Sequence, residues 1–262
     1  MTKELNFTID LVQKTGKTLL KHYKKDAFTI RGKSKAIKSK YDLLADEIIV
    51  KKIEKNFPKH SILSEESGLK NKKNEYIWLV DPIDGTGNYV NGNPFWSISV
   101  ALWKNNEPIF GVIEAPILQE RYIAIKNKGA WIIDTQTTKK QKAQVSSTEK
   151  LNNSYIVSCD GGSPRKKTIN LYKKLYSKSK DMRKLGSAAI ELAWVGTGRA
   201  DIYATPKVNL WDIGAGVLFV KEAGGKIMDF NRHEYKWSDF KPTKKTDLLS
   251  TNGRVRVPKL SL

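Results

Sequence analysis

The segment Tyr76-Ile77-Trp78-Leu79-Val80-Asp81-Pro82-Ile83-Asp84-Gly85-Thr86 joins an apolar run to a tightly specified turn. Tyr76 to Val80 is rich in aromatic and β-branched residues and reads as a buried strand. Asp81 stands at its end, where the side chain is expected to leave the core for a loop. Pro82 fixes its own φ and holds Asp81 extended, and Gly85 permits a bend that a side chain would obstruct. Asp81 and Asp84 then converge across the bend, with a backbone carbonyl between them. Oxygen ligands of this kind suit a hard divalent cation such as Mg²⁺, which keeps water and phosphate oxygens for its remaining positions. Taken alone, Asp-Pro and Asp-Gly are also ordinary turn formers.

Working outward, Leu5, Ile9, Val12, Leu19 and Leu20 fall at helical spacing and predict an amphipathic helix over 5–25. A lysine-rich connector over 31–40 precedes a second helix over 42–56, with Leu43, Leu44, Ile48, Ile49 and Ile53 as its apolar positions. Phe57-Pro58 ends it, because the residue before proline avoids helical geometry. Ile62-Leu63 is a short strand that delivers Glu65-Glu66. Downstream of the turn, strands are expected over 96–103, 109–113, 121–125 and 130–133. The polar stretch 137–144 is the expected boundary between two lobes. The second half predicts a strand over 155–158, helices over 167–177 and 187–196, a strand over 201–204 and a helix over 212–222. Together these argue for a layered α/β or α+β fold.

Hydrophobic residues make up 39% of the 262 positions, which suits a folded chain, yet no apolar run approaches the length of a membrane span. The start of the sequence lacks a basic segment followed by an apolar run, and the single Cys159 cannot form an intrachain disulfide. A cytoplasmic protein without membrane contact is the expectation. The formal charge is +20, from 47 Lys and Arg against 27 Asp and Glu. Such a surface attracts anionic substrates or nucleic acid. The lysines form no block and accompany no nucleic-acid motif, so a basic nucleic-acid-binding protein without turnover is the alternative rather than the preferred reading.

Two further acidic signals flank the turn. Glu65-Glu66 alone reads as a solvated loop, and Asp212 in Trp211-Asp212-Ile213-Gly214-Ala215-Gly216 alone reads as a helix N-cap. They gain force together, because each acid lies at the end of a core element. These residues resemble the inositol monophosphatase family of Mg²⁺-dependent, often lithium-sensitive phosphomonoesterases. The family motif Asp-Pro-Ile/Leu-Asp-Gly-Thr stands complete at residues 81–86, the upstream Glu-Glu at 65–66, and the late Trp-Asp motif at 211–216. The likeness extends through Gly198-Arg199-Ala200-Asp201 and Glu222-Ala223-Gly224-Gly225.

The resemblance implies one phosphatase domain of alternating α-β-α-β-α layers. Its residues 1–140 would carry most metal ligands, and 141–262 would supply Asp212 and substrate contacts. It further implies two or three Mg²⁺ ions. Glu65, Asp81 and the Ile83 carbonyl would hold one, and Asp81, Asp84 and Asp212 a second. Thr86 and Glu65 would orient the attacking water, with Asp42 hydrogen-bonded to Thr86. Gly85 and Thr86, with Asp84 and Asp212, would meet the phosphate and substrate. The carboxylates and a dianionic phosphate repel each other until cations cancel the charge, so in-line attack by water without a phosphoenzyme is the expected mechanism. The resemblance also implies a homodimer.

The sequence departs from the family in two places. Ala36-Ile37-Lys38-Ser39-Lys40-Tyr41-Asp42 lacks the family's first acid, which leaves Asp46 as a rival to Asp42. Thr205 stands where inositol phosphatases often carry glutamate, so Thr205, Gly186 and Ser187 are the candidate substrate-selective positions. Inositol-1-phosphate or a related sugar phosphate is the expected substrate. Fructose 1,6-bisphosphate, histidinol phosphate and 3′-phosphonucleotides are the alternatives. Cys159 has no neighbouring histidine in sequence, and His22, His60 and His233 form no metal-spaced pair.

Overall fold

The computed structural model describes residues 2–23, 40–71, 74–161 and 164–260. Helices α1 (Lys3–His22) and α2 (Lys40–Asn56) lead into β1 (Ser61–Ser64), β2 (Gly68–Lys70) and β3 (Tyr76–Asp84). A short helix α3 (Thr86–Asn91) follows, then β4 (Ser97–Lys104), β5 (Glu107–Ala115), β6 (Glu120–Ile125), β7 (Gly129–Asp134) and β8 (Lys140–Lys142). The second half runs β9 (Tyr155–Val157), α4 (Arg165–Tyr176), β10 (Asp181–Arg183), α5 (Ala188–Gly196), β11 (Ile202–Val208), α6 (Leu210–Glu222), β12 (Lys226–Met228) and β13 (Thr246–Thr251). The described strands form an eight-stranded sheet ordered β2-β1-β3-β4-β5-β6-β7-β8 and a five-stranded sheet ordered β10-β9-β11-β13-β12. The pairs β1–β3, β9–β10 and β9–β11 are parallel.

Strand alternation assigns the large sheet's two faces to different partners. Trp78, Val80, Val100, Leu102, Phe110 and Val112 point to one face and pack with Leu5, Val12, Leu19, Ala45, Ile49 and Ile53 of α1 and α2. Leu79, Ala101, Trp103, Ile113 and Tyr122 point to the other and pack with α5 and α6. The same cluster takes in Val157, Tyr203, Ile227 and Leu248 from the small sheet, so α5 and α6 lie between the two sheets. The outer face of the small sheet, with Ile156, Ile202 and Leu249, is covered by Leu171 and Leu175 of α4. The order of layers is therefore α-β-α-β-α, as expected.

Several boundaries and faces differ from the sequence reading. In α2 the buried positions are Tyr41, Asp42, Ala45, Asp46, Ile49, Val50 and Ile53, while Leu43 is 57% exposed. The helix is rotated so that two acids face inward, because both find hydroxyl donors there: Thr86 for Asp42 and Ser64 for Asp46. Leu20 of α1 is likewise turned outward, and α1 ends at His22 with Tyr23 as its cap. Lys24, Lys25, Ala36 and most of the lysine-rich connector lie outside the described residues. Strand β3 does not stop at Val80. It continues through Pro82 to Asp84, with a register break against β4 between Asp81 and Asp84. Proline is tolerated at such an irregularity because its missing N–H falls where the ladder is already interrupted. Asp81 thus stays inside the core at 2% exposure rather than emerging into a loop. Within the polar stretch 137–144, β8 extends the large sheet by pairing with β7. His60 stacks on Tyr76 with ring centroids 4.6 Å apart and accepts from Trp78 Nε1 at 3.1 Å, which gives it a packing role. No described helix is long and apolar enough to cross a membrane.

Candidate active site

The end of β3, the turn after β1 and the first turn of α6 meet at a cavity of about 660 Å³. Glu65, Asp81, Ile83, Asp84, Gly85, Thr86 and Asp212 all line it. Each arrives for a local reason. Glu65 follows β1 directly, and its N–H donates to the Val80 carbonyl at 3.1 Å, which ties the turn to β3. The β3 irregularity directs Asp81 and Asp84 toward the cavity from one strand. Gly85 then takes φ +90°, in the left-handed region that glycine alone adopts cheaply. A Cβ there would stand 2.8 Å from the Phe95 carbonyl oxygen, so the bend excludes any larger residue. Asp212 sits in the first turn of α6, where Asn209 N and Nδ2 donate to its Oδ2 at 3.0 and 3.2 Å.

Three of the acids converge. One carboxylate oxygen each from Glu65, Asp81 and Asp212 lie within 4.8 Å of one another. Asp81 Oδ1 is buried without a hydrogen-bond partner among the described residues, an arrangement that costs free energy unless something positive approaches it. The electrostatics agree. Burial first, and then the Glu65, Asp84 and Asp212 charges, push the Asp81 carboxyl far above its usual range. Glu65 is exposed as a residue, but its carboxyl end enters the cavity. Loss of water there, followed by the Asp212 charge, raises it to about 8. Burial and the Asp84 charge raise Asp212 to about 7. The donor set, all oxygen and rich in carboxylates, fits a hard divalent cation.

Asp84 is placed differently from those three. Its carboxylate accepts from Ala188 N at 3.1 Å, Ala189 N at 2.8 Å, Ser97 Oγ at 3.4 Å and the Ser187 hydroxyl. It therefore closes the N-terminus of α5 while its residue lines the cavity. Burial raises it to about 6, and these four donors limit the rise. Thr86 Oγ1 lies 2.7 Å from Asp42 Oδ1 and 3.1 Å from the Ile83 carbonyl oxygen. Asp42, not Asp46, is thus the carboxylate beside Thr86.

Of the expected substrate-selective positions, Gly186 lines the cavity, while Ser187 and Thr205 stand behind the wall. Ser187 is fully buried as the cap of α5. Thr205 is fully buried and donates to the Cys159 carbonyl at 3.1 Å. The wall in front of it is Cys159, Gly161, Pro164 and Val208. Burial pushes the Cys159 thiol strongly up, which leaves it neutral and poorly nucleophilic. Sequence reasoning missed two contributors. Lys245 lines the cavity and eases the rise at Asp212. Glu191, fully buried in α5, accepts from Leu185 N at 2.7 Å and Gly186 N at 3.1 Å and so shapes the loop before α5. Neither lies near an acidic motif, so no local signal marked them.

Known proteins resemble this chain over most of its length. A "Nus factor SuhB" of Xylella fastidiosa is 33% identical over 258 residues, 96% of this chain and 90% of that protein. A "Fructose-1,6-bisphosphatase/inositol-1-monophosphatase" of Thermotoga maritima is 35% identical over 88% of this chain and 86% of its own length. The solved structure of a Thermotoga maritima IMPase superposes with a TM-score of 0.83 at 33% identity, covering 96% of this chain and 93% of that one. The sequence pattern of the inositol monophosphatase family matches residues 1–257. The chain belongs to the inositol monophosphatase family.

Proposed function

We propose that this protein hydrolyses a small phosphate monoester with Mg²⁺ as cofactor. The observation that carries the reading is Asp81, buried with an unpartnered oxygen beside Glu65 and Asp212. Those three acids, the Ile83 carbonyl and Asp84 are the residues that would hold the ions. When bound, such cations offset the charge of the carboxylates and the phosphate and raise the acidity of water. The protein's own groups supply orientation. The Thr86 hydroxyl has one hydrogen for two acceptors, Asp42 and the Ile83 carbonyl. Whichever receives it, the oxygen keeps lone pairs that can accept from an attacking water. Asp84 fixes the start of α5 and with it Gly186 and Ala188 on the cavity wall. Lys245 attracts an anionic group into the cavity mouth. Attack is direct and in line, with no phosphoenzyme.

Inositol-1-phosphate or a related sugar phosphate is the substrate we favour, since the wall beside the acids is small and uncharged at Cys159, Gly161, Pro164 and Gly186. Lys245 favours a second reading, a bisphosphorylated sugar such as fructose 1,6-bisphosphate, whose far phosphate would meet that ammonium. A cytoplasmic homodimer completes the reading. The test is phosphate release from both esters with Mg²⁺, with a chelator, and with Asp81→Asn. Chelation is expected to abolish release, and Asp81→Asn to lower it by at least about a hundredfold. Release that survives both would sink the reading.

A further inference from the structure

A second concavity, of about 650 Å³, shares no lining residue with the first. It lies between the edge strand β12, the turn over 229–234 and the segment 253–259. Five of its lining residues are Lys226, Arg232, Arg254, Arg256 and Lys259, all exposed, and His233 joins them. None of these five side chains meets a carboxylate or another hydrogen-bond acceptor among the described residues. Other surface cations are mixed, Lys51 and Arg199 facing an acid and Lys52, Lys55 and Lys59 facing none among the described residues, so what distinguishes these five is that they gather on one concavity.

The arrangement is held by the backbone. Val255 and Val257 are buried in the cluster that includes Phe230 and Leu249, so strand-like alternation turns Arg254 and Arg256 outward together. Asn252 Oδ1 accepts from Arg254 N and Val255 N, both at 3.0 Å, and Leu260 N donates to the Phe230 carbonyl at 2.9 Å. Across the cavity, Arg232 is held at φ +72°, a conformation unfavourable for a side chain of its size. Asp229 Oδ1 accepts from Asn231 N and His233 N, both at 2.8 Å, and fixes that turn. The acids of the turn are engaged: Asp229 Oδ2 lies 3.1 Å from His233 Nδ1, and Glu234 pairs with Lys221. The charged groups of the lining therefore offer donors only.

Such a lining selects an anion, and five gathered cations exceed what a single phosphate neutralises. Among the described residues no Phe, Tyr or Trp lines the cavity, and its one ring, His233, is held beside Asp229, so the lining is dominated by cations that meet phosphates rather than by large aromatic faces that stack on bases. We propose that this concavity binds a chain of phosphates, the backbone chemistry shared by nucleic acids and inorganic polyphosphate. The +20 charge of the whole chain speeds the encounter, and the concavity gives the chain of phosphates its place.

The test uses fluorescence anisotropy on the full chain, with two duplex RNAs of unrelated sequence and with labelled polyphosphate, across a salt series. A triple variant Arg232→Ala, Arg254→Ala, Arg256→Ala is compared with Lys52→Ala, Lys55→Ala, Lys59→Ala, which removes equal charge from α2 and the turn after it. The arginine triple is expected to weaken a bound probe by roughly tenfold or more, equally for both RNA sequences. It should also lower the salt slope by about three, while the lysine triple changes little. Loss for RNA alone or for polyphosphate alone identifies the source of the phosphates. A triple Arg→Lys variant keeps the charge and is expected to bind nearly as wild type, which separates charge from misfolding. Hydrolysis of phosphate esters stays unchanged in all three. Absence of binding by either probe at low salt, or equal loss in the alanine triples, would overturn the proposal in favour of diffuse attraction.

Discussion

Asp84 accepts four hydrogen bonds, two of them from the backbone N–H groups that open α5. In Asp84→Asn an amide NH₂ must face one of those donors, and each buried group left unpaired costs about 1–3 kcal/mol. The variant is therefore expected to lose turnover and to melt several degrees earlier than wild type. An unchanged melting temperature would show that α5 does not depend on this carboxylate. Glu191 poses the opposite case. Burial, eased by the Gly186 and Leu185 N–H groups, raises its carboxyl to about 8, and its Oε2 has no partner among the described residues. A carboxyl whose folded value lies above its unfolded one favours the fold fully below the unfolded value. That contribution is lost as pH rises toward the folded value. From about 4.5 to about 8 the loss is on the order of 5 kcal/mol. Glu191→Gln keeps an oxygen for the two N–H groups and cannot ionise. It is expected to equal or trail wild type near pH 5 and to exceed it near pH 9, by chemical denaturation at both pH values. Parallel curves would mean that Glu191 is already ionised in the fold.

Helix α6 can occupy the space between the sheets because its small residues let neighbours come close. A Cβ on Gly111 of β5 would stand 2.6 Å from Ala215 Cα, and one on Gly214 would stand 2.5 Å from Leu79 Cδ1. Gly111→Ala must push α6 away from β5, at about 1–3 kcal/mol. Because Asp212 rides on that helix, the same change is expected to weaken the metal dependence of activity as well as stability. A loss of stability with an unaltered metal requirement would place Asp212 on a support other than α6 packing. This dependence also explains what was readable in the sequence. Long periodic elements such as α1, α2 and β4 to β7 announce themselves, since each buries a face set by its own period. Of the three-residue strands only β9 is expected, from its run of Tyr155, Ile156 and Val157, whereas β2, β8, β10 and β12 hold too few residues and too few β-formers to announce themselves. The Asp81–Thr86 motif exposed most of the site, yet not that β3 runs through Pro82 or that Asp84 caps α5. Nor did it disclose Glu191 and Lys245. Each depends on a contact that no local pattern encodes: Asp84 meets Ala189 105 positions away, β3 past Pro82 is held by its pairing with Ser97, and Glu191 turns back on the loop before its own helix.

The acids that converge at the cavity come from distant parts of the chain: Glu65 after β1, Asp81 within β3 and Asp212 on α6. In the absence of a cation they repel one another, and folding must hold them together against that repulsion. A cation that binds the folded arrangement and not the unfolded chain stabilises it by mass action, about 2.7 kcal/mol at a hundredfold excess over its dissociation constant. For a chain of this size that corresponds to roughly 5–10 °C in melting temperature. Mg²⁺ added to chelator-treated protein is therefore expected to raise the melting temperature over this range. Asp212→Asn should largely remove the increase while keeping an acceptor for the Asn209 N–H. A rise of equal size in that variant would assign the stabilising ion to some other place on the molecule. With Asp81→Asn and Glu65→Gln measured alongside it, the three acids must act as one site or the cluster is not where the cation binds.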